Sequence, residues 1–302
     1  MDRLLSALEW PSGRVDAVLD TDAYNEIDDQ FAIAYLLRSR DKINVKAVYA
    51  APFFNDKSQS PEDGMLKSYS EIMKVLDLCG DEALKNDVYK GSARYLPDEN
   101  TPVDSPAARH LIALSENYGE KNRLYVVAIG AITNVASALI LDPGLKERVT
   151  VIWLGGHALT WNDTYEFNMY QDVAAARVVF SSGVPLVQLP CMGVVSSFYV
   201  TVPELDFYLK GKNRLCDYLT ENTIAYMGGR ERFWSKVIWD VTAVGWLVGG
   251  ERFMKSALVP APVPQYDNRY SFNPDAHFIR YVRHIERDAL MKDLFDKLAM
   301  QI

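Results

Sequence analysis

Cysteine and histidine are scarce, at three and four residues among 302. Cys79, Cys191 and Cys216 are an odd number without metal-type spacing, which argues against a disulfide framework or a zinc module and fits a reducing compartment. No linker rich in Pro, Gly or Ser and no low-complexity run interrupts the chain, so a single domain over residues 1–302 is expected. Basic residues are outnumbered, 32 Lys and Arg against 40 Asp and Glu, for a net charge of −8. With no basic cluster, that balance argues against a nucleic-acid partner and leaves small molecules as ligands. No apolar run approaches transmembrane length. The first residues, MDRLLSALEWPSGR, carry Asp2 and Glu9 and no sustained apolar core, so they do not read as a signal peptide. The expected setting is cytoplasmic, with no membrane partner. What is plentiful is apolar residues, 49% of the chain, enough for a large core.

The most pointed stretch is VDAVLDTDAYNEIDDQFAIAYLL, Val15 to Leu37. An apolar run leads into Asp20, Asp22, Asp28 and Asp29, and an apolar pattern of helical length follows, which predicts a strand, an acidic turn and a helix. Four carboxylates in ten residues repel one another, and burial worsens that repulsion unless a cation neutralises it. Aspartate oxygens suit calcium or magnesium, and the lack of nearby Cys or His argues against zinc. A solvated turn with Asp28 capping the helix is the bland alternative. Capping is worth about 0.3–1 kcal/mol and accounts for one aspartate, not four.

Strand-like and helical runs then alternate. Val45 to Ala50 reads as a strand ending near Asn55, Gly64 to Leu78 as a helix, Tyr89 to Asp104 as a loop, and Pro106 to Tyr118 as a helix. Leu124 to Ile129 and Val149 to Leu154 are nearly continuous apolar strands, as found in a parallel sheet buried on both faces. A helix opens at Thr133 or Asn134, another covers Asp172 to Phe180, and Pro185 to Leu189 is a short strand. The expected fold class is α/β, a doubly wound, mostly parallel sheet flanked by helices, with a helical C-terminal third. Ligands of such sheets bind beyond the carboxyl ends of the strands, where the acidic turn, Asn55, Thr133 and the loop from Gly155 to Asn168 fall. Asp240, after Trp239, precedes an apolar helix, where a lone Asp is most often an N-cap. Asn273 to Leu298 reads as one long amphipathic packing helix.

These residues, in this order, resemble the inosine-uridine preferring nucleoside hydrolase family. Its first strand ends in Asp-x-Asp, a short connector and Asp-Asp opening a helix. The matches continue through Asn55, Thr133-Asn134, Gly155-Gly156, Glu166-Phe167-Asn168 and Asp240, so the resemblance spans Asp20 to about Gly249. It implies a calcium-dependent N-ribohydrolase that cleaves ribose from a nucleobase with water, acting as a dimer or tetramer. By position, Asp22, Asp29 and Asp240 would give carboxylates to the calcium and Thr133 its backbone carbonyl. Asp22 would also be the general base, on a water made more acidic by the calcium. Asp28, Asn55, Asn162, Glu166 and Asn168 would hold the ribose hydroxyls while positive charge develops at C1′.

Three departures from the pattern stand out. The usual three-residue Pro-Gly-x connector is here Ala23-Tyr24-Asn25-Glu26-Ile27, which brings Tyr24 or Glu26 towards the site. The segment PCMGVVS, from Pro190, lacks the family's Asp-x-Thr-His. Trp239 stands where many members have a histidine acid; the family's purine-specific branch also places a Trp here, stacked on the leaving base. A positioned acid contributes roughly 10²–10⁴ in rate, an aromatic stack only about 0.5–1.5 kcal/mol. That predicts a purine substrate protonated from solvent or another side chain, or a different ribosyl compound. His157 is assigned a structural role. Two rival readings stay open: a haloacid-dehalogenase-type magnesium phosphatase built on Asp20-Thr21-Asp22, and a non-catalytic calcium-dependent binder of ribose or nucleosides.

Overall fold

The computed structural model describes residues 2–300. From the N-terminus, α1 (Asp2–Ala7) leads into β1 (Val15–Thr21), α2 (Asp28–Arg38), β2 (Ile43–Ala50), α3 (Pro61–Cys79), β3 (Val88–Lys90) and α4 (Pro106–Ser115). The alternation continues with β4 (Leu124–Ala128), α5 (Thr133–Leu141), β5 (Val149–Leu154), α6 (Phe167–Tyr170), α7 (Val173–Ser181) and β6 (Leu186–Leu189). The remainder holds β7 (Tyr199–Thr201), α8 (Val202–Tyr208), α9 (Arg214–Tyr226), β8 (Ser235–Val237), α10 (Val241–Gly249), β9 (Met254–Pro260), β10 (Val263–Pro264), β11 (Tyr270–Ser271), β12 (Phe278–Ile285) and α11 (Arg287–Ala299).

Eight strands form one sheet in the order β3-β2-β1-β4-β5-β6-β12-β9. All neighbours are parallel except β9, which runs antiparallel to β12. Successive residues of a strand point to opposite faces, and here both faces are apolar. Leu19, Val127 and Ile152 pack in the layer with α2, α3, α10 and α11, while Val18, Val126 and Val151 pack in the layer with α5 and α7. That two-sided burial is why β4 and β5 lack polar alternation.

The chain leaves β1 for β2 and β3 on one side and returns to β4 on the other, so the winding reverses between β1 and β4. A crevice opens at the carboxyl ends of the strands at such a reversal. The acidic turn follows β1 there, and Ile129-Gly130 follows β4.

The terminal stretch corrects the expectation of one helix from Asn273 to Leu298. Phe278 to Ile285 is instead strand β12, a full member of the sheet, and the helix starts at Arg287. The octet FIRYVRHI is rich in β-branched and aromatic residues, which fit a half-buried pleated surface. Its partner β9 also comes from the C-terminal third, so that region supplies two sheet strands beside its helices.

Candidate active site

One cleft at the carboxyl edge of the sheet, with a cavity volume of about 220 Å³, gathers most of the residues singled out above. Its floor is Asp22, Asn25, Glu26, Asp28, Asp29 and Asp240; its walls include Leu154, His157, Tyr165, Phe167, Met192 and Trp239, with Glu166 and Asn168 between them.

The floor is built by β1 and α2. Asp28 and Asp29 are the first two residues of α2, a helix buried nearly all round. Successive helical side chains diverge by about 100°, yet Asp28, Asp29 and Asp240 each offer an oxygen within 4.8 Å of the others. Thr21 donates its hydroxyl to Asp29 Oδ1. Asp22 Oδ2 is buried with no hydrogen-bond partner among the described residues. Gly130 makes room for this carboxylate, because a Cβ there would lie 2.9 Å from Asp22 Oδ1.

Without a cation these acids bind protons more readily than ordinary carboxylates. Burial lifts Asp29 to about 7, with the charge of Asp28 adding to it. Asp28 rises to about 6, again mainly by burial, against the pull of Lys236. Asp22 and Asp240 are driven well above the carboxylate range by burial and by their acidic neighbours. An all-oxygen donor set, mutual repulsion and an unpartnered buried oxygen together fit a hard divalent cation.

The five-residue connector is firmly held. Asn25 N–H donates to Asp22 O at 2.8 Å, Gln30 Nε2 to Ala23 O at 2.8 Å, and Lys57 Nζ to Asn25 O at 2.7 Å. Glu26 pairs with Lys236. Of the two residues expected to intrude, Glu26 lines the cleft, whereas Tyr24 turns to a separate hollow against Leu66 and Glu71.

Three assigned residues stand outside the cleft. Asn55 donates to Asn25 Oδ1 at 2.7 Å and sits behind it, so Asn25 presents the amide that Asn55 was expected to present. Asn162 is exposed on the loop after His157 and does not line the cleft. Thr133 is the first residue of α5, not its N-cap, and its buried hydroxyl donates to Asp172 Oδ2 at 2.7 Å. Its carbonyl belongs to the helix ladder. Ile129, at the end of β4, is the residue of that segment that reaches the cleft.

Glu166 and Asn168 are fixed by backbone. Gly156, Asn168 and Met169 N–H groups donate to the Glu166 carboxylate at 2.8, 2.9 and 3.0 Å, and burial still lifts it to about 7. Gly156 has φ +73°, which aims its N–H at Glu166 and suits glycine. Asn168 Nδ2 donates to Leu154 O and Ile129 O, tying it to two strand ends.

The walls carry residues that sequence reasoning passed over. His157, assigned a structural role, lines the cleft, and Met192 N–H donates to its Nδ1 at 3.3 Å. The proton then resides on Nε2, and burial holds the ring below its ordinary pKa. Cys191 and Met192 come from PCMGVVS, so that segment still contributes to the site. By contrast Asp20, the nucleophile a phosphatase would require, is fully buried, accepts from Asn134 Nδ2 at 2.7 Å and lies outside the cleft. That removes the phosphatase reading.

Solved structures with this fold include a plant nucleoside hydrolase (TM-score 0.75, 18% identity, 95% of this chain and 100% of that one) and a purine-preferring ribonucleoside hydrolase from Gardnerella vaginalis (TM-score 0.75, 19% identity, 94% and 98%). In sequence, the pyrimidine-specific ribonucleoside hydrolase RihB of Escherichia coli is 40% identical over 67 residues, 21% of this chain and 21% of that protein. The match thus spans about a fifth of that relative's length. The model of the inosine-uridine preferring nucleoside hydrolase family, however, extends over residues 17–272, and the chain belongs to that family.

Proposed function

We propose that the protein is a calcium-dependent hydrolase of the N-glycosidic bond of ribonucleosides, with a preference for purines. The observation that carries this reading is the convergence of Asp28, Asp29 and Asp240 within 4.8 Å on the floor of a cleft walled by aromatic side chains. Asp22, Asp29 and Asp240 would hold the calcium. When bound, the ion neutralises the carboxylates and makes a bound water more acidic.

The chain's own residues do the rest. Asp22 accepts a proton from the attacking water as general base. Asp28, Asn25, Glu166 and Asn168 hold the ribose hydroxyls and fix the sugar over the floor. As the bond from C1′ to the base nitrogen breaks, its electron pair leaves with the base and C1′ becomes cationic, a charge that the surrounding carboxylates favour. Water oxygen then bonds to C1′, and the base takes a proton from solvent. Trp239 supports the purine preference by offering a stacking face to the larger ring system.

Three unpaired, buried cysteines support a cytoplasmic setting. By family resemblance the protein is a dimer or tetramer, which light scattering tests. The decisive assay is release of free ribose from purine and pyrimidine nucleosides, with calcium and again with a chelator. Calcium-dependent release favouring purines is expected. Calcium binding without release from any nucleoside would replace the hydrolase with a binder.

A further inference from the structure

Lys236 is the only lysine or arginine that is buried among the described residues, at 7% exposure. Removing an ammonium from water costs several kcal/mol and persists where partners compensate it. Its partners are both carboxylates of the cleft floor. Nζ pairs closely with Glu26 and lies 3.5 Å from Asp28 Oδ1, with the Tyr226 ring at 5.6 Å. Glu26 belongs to the lengthened connector, and Lys236 to the short strand β8 that precedes Trp239 and Asp240.

The acids alone do not decide which of them meets a cation. Asp28, Asp29 and Asp240 are alike in chemistry, and each offers an oxygen within 4.8 Å of the others. Lys236 breaks that equivalence. Its positive charge beside Asp28 satisfies that carboxylate and repels a divalent ion from the same side, while Asp29 and Asp240 form no ion pair among the described residues. We propose that Lys236, anchored by Glu26, is a positioning residue that withholds Asp28 from the metal and commits its carboxylate to the ribose. This rests on the reading under Proposed function and adds to it a residue pair that sorts one acid from three.

The consequence runs against intuition, because losing Lys236 strengthens metal binding. In Lys236→Met, a further carboxylate is free to join the ion and one positive charge leaves, so calcium affinity measured by titration calorimetry rises roughly tenfold. With Asp28 drawn away from the sugar, KM for the nucleoside rises roughly tenfold or more, the scale of a lost charged hydrogen bond. A lysine needed only for packing would weaken both together. Lys236→Arg keeps the charge and restores calcium affinity and KM towards wild type. The double variant Glu26→Gln/Lys236→Met removes both partners and leaves no unpaired Glu26, so it keeps the question open to measurement if the single variant misfolds. It too should bind calcium more tightly than wild type.

Unchanged or weaker calcium binding in the folded variants, beside a wild type that binds calcium, overturns this proposal and leaves the hydrolase reading standing. A wild type that binds no calcium overturns both.

Discussion

The floor of the cleft and its walls are held in contrasting ways. Asp22, Asp28 and Asp29 sit between a central strand and a helix buried nearly all round, with the connector's backbone tied by Gln30 and Lys57. The walls come largely from loops between elements, which carry His157, Tyr165, Met192 and Trp239, and Tyr165 is open to solvent at 60% exposure. A floor embedded in the core fixes charges whose mutual repulsion would otherwise spread them apart. A wall on loops tolerates exchange of side chains. Under the proposed function, bond cleavage falls to the floor and the choice of base to the walls.

The hardest test of that division is to break the floor. Asp22→Asn or Asp240→Ala should lower activity at least 10³-fold and abolish calcium binding together, as measured by ribose release and calorimetry. Retained turnover in either would remove the metal assignment. Next in size is the effect of the ion on stability. Calcium at 100 times its dissociation constant adds about 2.7 kcal/mol, roughly 4 °C in Tm for a chain of this length, which scanning calorimetry reads directly.

The chelated protein should also respond to pH in a defined direction. Asp29 near 7 and Asp28 near 6 lie above the ordinary carboxylate value of about 3.9 in the unfolded chain. The metal-free fold therefore binds more protons than the unfolded chain between about pH 4 and 7, and its stability rises as pH falls through that window. With calcium in place of those protons the rise should vanish. A chelated protein whose Tm falls on acidification from pH 7 to 5 would contradict the crowding of acids on the floor.

The same contrast governs what the sequence made legible. Asp20 to Asp29 lie within ten residues between a strand and a helix, so proximity in the chain already implied proximity in space. The parallel sheet was legible because two-sided burial leaves continuous apolar runs such as VTVIWL. Lys236 was not, since a lone lysine in a short strand carries no periodic signal and its partner Glu26 is 210 positions away. Thr133 was misplaced because a backbone carbonyl leaves no mark in residue type. The end of β4 decides that Ile129, four residues earlier, reaches the cleft. Asn55 fell one layer back because the longer connector filled its place with Asn25. Phe278 to Ile285 passed for helix because Arg280, Arg283 and His284 interrupt its apolar residues, much as polar residues interrupt an amphipathic helix.

On the walls the effects should be smaller and selective. Trp239→Ala should lower purine turnover about tenfold, the upper range of an aromatic stack, while changing ribose affinity much less. Equal losses in kcat and in ribose inhibition would make Trp239 a packing residue. The finest distinction lies between two asparagines in contact. Asn25 lines the cleft and Asn55 stands behind it, donating to Asn25 Oδ1. Asn25→Ala should raise KM about fivefold, the equivalent of one hydrogen bond of roughly 1 kcal/mol. Asn55→Ala should raise it about twofold, acting only by loosening Asn25. If the order were reversed, Asn55 would reach the sugar itself, and the connector would have to swing aside when substrate binds. In the double variant the Asn55 effect should disappear, because a residue that acts through Asn25 has nothing left to position once that amide is gone.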